Sequence, residues 1–143
     1  MEQFISGAYK GMGVSSIVAG QELGQVKFNL DASLVREYLS VAGDTSKVYA
    51  DTDLVPYTAV AALGVRTVLG GLALPPGTIH VAQELVAHRA VARGQSVSCR
   101  AKVTQASHRR DGTFLVMEFA VSDDADRRVL DGRTTLLVPG QGK

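Results

Sequence analysis

The chain has no tryptophan, one cysteine and four prolines in 143 residues, and aromatic side chains make up only 6% of it. Each shortage excludes something. A lone thiol, Cys99, cannot close an internal disulfide, so a disulfide-stapled secreted scaffold is excluded and a reducing cytoplasm is the expected location. Neither sign of charge dominates: 15 Lys and Arg face 14 Asp and Glu, a net charge of +1, which argues against a nucleic-acid or membrane-surface partner. No apolar run approaches the roughly 20 residues that span a bilayer. The first residues carry Lys10 and short apolar pieces at Ile5 and Val14, broken by four glycines from Gly7 to Gly20, which is neither a signal-peptide core nor a transit peptide. No group of His, Cys and acidic residues has metal-ligand spacing, so no metal is expected. No glycine-rich loop follows a strand to cradle a nucleotide, so no cofactor is expected either.

What is present is enough apolar residue, 45%, for one self-sufficient core, and the expected organisation is a single domain over residues 1–143. Residues 1–24 read as a glycine-rich strand-and-turn lead-in, and Val26, Phe28 and Leu30 mark a short strand. Asp31 is placed to cap a helix whose apolar positions are Leu34, Val35, Tyr38, Leu39 and Ala42, with Gly43 as its stop. Residues 43–55 read as a polar loop. Pro56 then opens a second helix, to about residue 69, at a position where a missing backbone donor costs nothing. Only Arg66 is charged in it, and a helix apolar nearly all round belongs in the interior.

The second half reads as a meander. Strands are expected over residues 78–89, over 96–108, through Leu115, Met117, Phe119 and Val121, and over 128–138. The Arg110-Asp111-Gly112-Thr113 run is a hairpin signal, Asp-Gly supporting positive φ, and a further turn is expected at residues 123–127. The expected class is α+β, an antiparallel sheet wrapped around one central apolar helix: a hotdog fold.

Chemistry concentrates in Ser40-Val-Ala-Gly-Asp-Thr-Ser-Lys-Val-Tyr49. This stretch resembles the active-site loop of the MaoC-like (R)-specific enoyl-thioester hydratases and dehydratases, in which Gly-Asp is followed by an Asn-Pro-like turn and then by a histidine five places after the aspartate. Ser46-Lys47 stand in place of Asn-Pro, and Tyr49 in place of the histidine. The segment from Leu74 to Gln95, with its Pro75-Pro76 turn, His80, Gln83-Glu84, Arg93 and Gly94-Gln95, resembles the segment leading into the sheet of the N-terminal MaoC-like dehydratase domain. With the closing Gly132-to-Val138 run, the resemblance covers residues 25–138.

Hydrating a 2-enoyl thioester needs a base for water, an acid for the α-carbon, and donors for the charge that develops on the thioester oxygen. The resemblance implies that an Asp–His pair supplies the first two and that the amino end of the central helix, here Tyr57 and Thr58, faces the carbonyl. A phenol, with an ordinary pKa of about 10, is a donor and not a base at neutral pH. Asp44 after a helix stop equally fits a turn residue bonded to its own backbone, and Tyr49 fits a packing aromatic. His80 and Glu84, four apart on a strand, are expected on one face, either as satisfied polar groups or with His80 replacing the missing imidazole. Arg89, Arg93, Arg109 and Arg110 read as solvated charges or as holders of CoA phosphates. His88 and His108 read as surface residues.

The resemblance implies an acyl thioester, of CoA or acyl carrier protein, as substrate. It also implies a homodimer, or a heterodimer with a catalytic MaoC-like subunit whose degenerate, substrate-binding half is this chain. A self-contained enzyme using Asp44, Tyr49 and His80, an acyl-CoA thioesterase, and a non-catalytic acyl-CoA binding protein are the alternatives.

Overall fold

The computed structural model describes residues 2–6 and 12–140; the rest of the expected lead-in, residues 1 and 7–11, lies outside the described residues. In chain order the elements are β1 (Glu2–Ser6), β2 (Met12–Gly13), a 3-10 turn (Val14–Ser16), β3 (Glu22–Asn29), α1 (Ala32–Ala42), α2 (Lys47–Asp51), α3 (Tyr57–Gly70), β4 (Leu72–Ala73), β5 (Ile79–Ala87), β6 (Ser96–Arg109), β7 (Gly112–Asp123) and β8 (Arg128–Pro139). One antiparallel sheet has the order β1-β3-β6-β7-β8-β5, and β2 and β4 form a small parallel pair.

Alternation decides which face of the sheet is covered. Val97, Cys99, Ala101 and Val103 of β6, Leu115, Met117, Phe119 and Val121 of β7, and Leu130, Leu136 and Val138 of β8 are all buried, and α3 packs over them. From the helix come Ala59, Val60, Leu63 and Val68, also buried. Each such large side chain removed from water contributes about 1.5–3 kcal/mol. Among the described residues three polar side chains are buried, Thr67, Thr134 and Asp123. Thr67 donates its hydroxyl to the Leu63 carbonyl, 2.9 Å away, and Thr134 donates to Gln83 at 2.8 Å. Burial pushes the Cys99 thiol up to about 12, against a weaker lowering bond from Thr67, so Cys99 packs as a small apolar group.

The helix lies close to the sheet because two glycines permit it. A Cβ on Gly64 of α3 would fall 2.2 Å from the Phe119 ring, and one on Gly132 of β8 would fall 2.1 Å from the same ring. Phe119 therefore occupies the space both positions leave empty.

The hairpin expected at Asp111-Gly112 forms, but not by the expected means. Arg109 pairs with Gly112, leaving Arg110 and Asp111 as the loop, and neither has positive φ. Gly112 is required by contact instead, since a Cβ there would stand 2.6 Å from the Val138 carbonyl oxygen. At the 123–127 turn Asp126 takes φ 59°, and the Asp123 carboxylate accepts the N–H groups of Ala125 and Arg127 at 3.0 Å each.

Gly132→Ala is expected to destabilise the fold by about 1–3 kcal/mol through overpacking. Phe119→Leu, introduced in the same chain, should recover part of that loss. Urea unfolding of the two variants checks this.

Candidate active site at the amino end of the central helix

The site is reached through α1. Asp31 caps that helix, its carboxylate accepting the Leu34 N–H and the Ser33 hydroxyl at 2.8 Å each. At the other end Gly43 turns left-handed at φ 67°, its N–H reaching the Ser40 carbonyl and that of Asp44 the Leu39 carbonyl. These two bonds form a Schellman stop, which aims the chain at the next segment. Asp44 then accepts the Ser46 N–H at 2.9 Å. Hydrogen bonding from the Ser46 hydroxyl and then from its N–H outweighs desolvation and holds the Asp44 carboxyl below its ordinary range. The carboxylate is thus an anion serving as a turn former.

The expected polar loop at 43–55 contains a helix. Ser46 begins α2, a single turn that carries the half-buried Tyr49 and ends at Thr52. Five residues give no apolar period for sequence reasoning to detect. Residues 52–55 are then fastened to the segment before β6. Leu54 bridges Ala92, and Val55 N–H reaches the Val91 carbonyl at 3.0 Å. The Arg93 guanidinium donates to the Thr52 carbonyl at 2.6 Å and to the Asp53 carboxylate at 3.3 Å. Arg93 is therefore a clamp on this loop and not a freely solvated charge.

Pro56 stands at the N-cap of α3, which begins at Tyr57 as expected, and makes no side-chain capping bond. The Ala59 and Val60 N–H groups return to the Pro56 carbonyl, while those of Tyr57 and Thr58 have no partner among the described residues. Tyr38 of α1 donates its hydroxyl to Thr58 Oγ at 2.7 Å, tying α1 to this helix end. Spacing placed Tyr38 only on an apolar face; the available signal was its hydroxyl, which seeks a partner when half-buried.

His80 and Glu84 do not share a face. Val81 is an extra residue, so His80 lies opposite Leu136, whose side chain is buried, and Glu84 opposite the exposed Arg133. A single bulge reverses alternation, which spacing alone does not reveal. His80 bonds Gln83 at 3.1 Å, and Gln83 in turn accepts from Thr134. Glu84 pairs with Arg133 at 3.5 Å on the far side of the sheet. Arg89 is exposed and makes no ion pair among the described residues. Among those residues no hydrogen bond joins Asp44, Tyr49 and His80 to one another. His88 bonds the Asp131 carboxylate at 2.8 Å. His108 does more than sit on the surface: Nε2 donates to the Ile17 carbonyl at 2.8 Å, and Nδ1 bonds the Thr113 hydroxyl at 3.1 Å. No group of three His, Cys, Asp or Glu side chains able to hold a metal occurs among the described residues. No helix there is long and apolar enough to cross a membrane.

With that geometry in place, comparison with known proteins gives a family. The model for the FAS1-like dehydratase domain region matches residues 17–132. The chain belongs to that family. Its architecture is the MaoC-like hotdog, as expected. The unliganded (R)-hydratase PhaJ1 of Pseudomonas aeruginosa superposes with a TM-score of 0.76 at 20% identity, covering 92% of this chain and 88% of that one. The ChsH1–ChsH2 complex of Mycobacterium tuberculosis gives 0.70 at 14%, covering 86% and 98%. The HadBC (3R)-hydroxyacyl-ACP dehydratase complex of the same organism gives 0.61 at 21%, covering 78% and 89%. No curated protein sequence matches the chain.

A carboxyl held low stabilises the fold while ionised. The Asp44 contribution is complete above the ordinary aspartate range and is lost as pH falls through its lowered value. Ser46→Ala should move the Asp44 titration upward, toward the ordinary aspartate range. Carboxyl NMR of the two proteins checks the direction.

Proposed function

We propose that this chain is the substrate-binding half of an (R)-specific 2-enoyl-thioester hydratase or 3-hydroxyacyl-thioester dehydratase, paired with a catalytic MaoC-like subunit. The observation that carries the reading is the state of the loop. Asp44 follows the Schellman stop as in a hydratase loop, but its carboxylate is bonded to Ser46 and Tyr49 stands where an imidazole is needed. In hydration the water oxygen bonds to C3 of the enoyl group, a base takes one water proton, and an acid delivers a proton to C2. A stabilised carboxylate is a weak base, and a phenol supplies no base at neutral pH.

Binding needs less. The N–H groups of Tyr57 and Thr58, without a partner among the described residues and with the positive end of α3 behind them, suit a thioester carbonyl that gains negative charge. The Thr58 hydroxyl, already accepting from Tyr38, has its own proton to donate toward the same oxygen. His80, held by Gln83 on the helix side of β5, is the imidazole this chain can present toward the acyl group. Arg89, exposed beyond the end of β5, is assigned to the CoA phosphates. Glu84, turned to the far face, is better assigned to the Arg133 pair than to substrate.

One of the two sheet edges supports a partner. β5 borders the sheet, and Val81 on it is 51% exposed. An edge strand offers unpaired backbone groups to another chain. Two structural neighbours, ChsH1–ChsH2 and HadBC, are themselves complexes of two chains.

Hydration of a short trans-2-enoyl-CoA, followed by loss of the conjugated absorbance, tests the reading. The chain alone should show little turnover, and Tyr49→His should raise it by about tenfold or more. Asp44→Ala in that background should remove the gain. Brisk turnover by the unaltered chain, abolished by Asp44→Ala, would instead mean a self-contained enzyme.

A further inference from the structure

The face of the sheet turned away from α3 has two different halves. In one, charges alternate across five strands: Glu22, Lys102, Glu118, Arg133 and Glu84 stand side by side in the register. In the other, Phe114 of β7, Leu137 of β8 and Ile79 of β5 form a neighbouring row, 37%, 42% and 56% exposed. With Pro139, Arg109 and Asp111 they line a cavity of about 620 Å³. None of Asp44, Tyr49, Thr58 and His80 lines this cavity, so it is separate from the candidate active site.

We propose that this apolar row is an isologous contact between two copies of the chain. The rim argues for a second copy over other occupants. Arg109 and Asp111 flank the same end of the row, carry opposite charge, and form no ion pair among the described residues. A uniformly acidic partner would meet repulsion at Asp111, and a uniformly basic one at Arg109. In a two-fold contact whose axis runs between them, Arg109 of each copy faces Asp111 of the other. A net charge of +1 leaves little overall repulsion between copies. An aromatic and aliphatic centre with an arginine at its edge is the composition such contacts favour. The apolar row is only three side chains long, short of the roughly 800 Å² per partner of a stable complex. The contact is therefore weak and concentration-dependent, and independent of any pairing through β5.

Sedimentation velocity of the full chain over a wide concentration range tests this, with pairing through β5 followed separately by Val81→Lys. Phe114→Lys and Leu137→Lys, both at exposed positions, should each weaken this association about tenfold or more and leave any β5 pair intact. Arg109→Asp alone and Asp111→Arg alone should each lose it through like-charge contacts. An equimolar mixture of those two variants should restore it, since both rim pairs are then complementary. Association unchanged by Phe114→Lys, or no recovery in the mixture, overturns the proposal. A chain that pairs only through the Val81-sensitive edge overturns it while sparing the functional reading. A chain that never self-associates overturns it too, and leaves only a heteromeric partner for β5.

Discussion

The ring of Phe119 sits between Gly64 of α3 and Gly132 of β8, and no side chain at either position keeps helix and sheet apart. That contact sets how near α3 approaches the sheet. A close-packed interior transmits such a constraint, because neighbouring side chains have no free volume in which to adjust. Val60 and Val68 on the same helix, with Met117 and Leu136 on the sheet, are fully excluded from water at this spacing. The amino end of α3 is consequently fixed, and with it the two N–H groups at Tyr57 and Thr58 that the helix cannot satisfy itself. The site is a by-product of packing: it is where a rigid buried helix starts.

The loop leading to that point is shaped by hydrogen bonds that also limit its chemistry. Gly43 ends α1 in a left-handed turn, Asp44 holds the following turn through the Ser46 N–H, and Arg93 fixes Thr52 and Asp53. Each bond makes the loop more definite. The bond at Asp44 additionally favours the charged carboxylate, and a carboxylate stabilised in that way has less tendency to take a proton from water. Precision of position and strength as a base are opposed here. On the proposed reading, an imidazole at position 49 would remove the conflict by taking the proton itself, whereas tyrosine leaves it in place.

Local signals carried the sequence reading, and longer-range ones defeated it. The Asp31 cap, the Gly43 stop, the apolar α3 and the alternation of β6 and β7 are each written in a few adjacent residues, and all four stand in the structure. The Gly-Asp loop pointed to the family through order and spacing, and the match over residues 17–132 agrees. What was not legible depends on a second strand or helix. The α2 turn is too short for a period. The Val81 bulge, which separates His80 from Glu84, exists only relative to β8. Tyr38 meets Thr58 twenty residues away, and nothing local to either announces the bond. Gly112 had a correct turn assigned for an incorrect reason, since its need is the nearby Val138 carbonyl rather than its φ.

The outer face of the sheet follows from the same register that builds the core. Once the inner rows of β6, β7 and β8 are matched, every outer residue is assigned a neighbour without further choice. Where that assignment places Lys102 beside Glu118 and Glu118 beside Arg133, opposite charges support the pairing, with Arg133 reaching Glu118 at 3.1 Å. Where it places Phe114 beside Leu137 and Leu137 beside Ile79, the three residues are cross-strand neighbours that stay exposed to water. Cross-strand contact alone would be served as well by threonine or valine with less apolar area exposed. The fold therefore explains why these three residues lie in a row, and not why they are large and apolar. A surface that covers them supplies the missing reason.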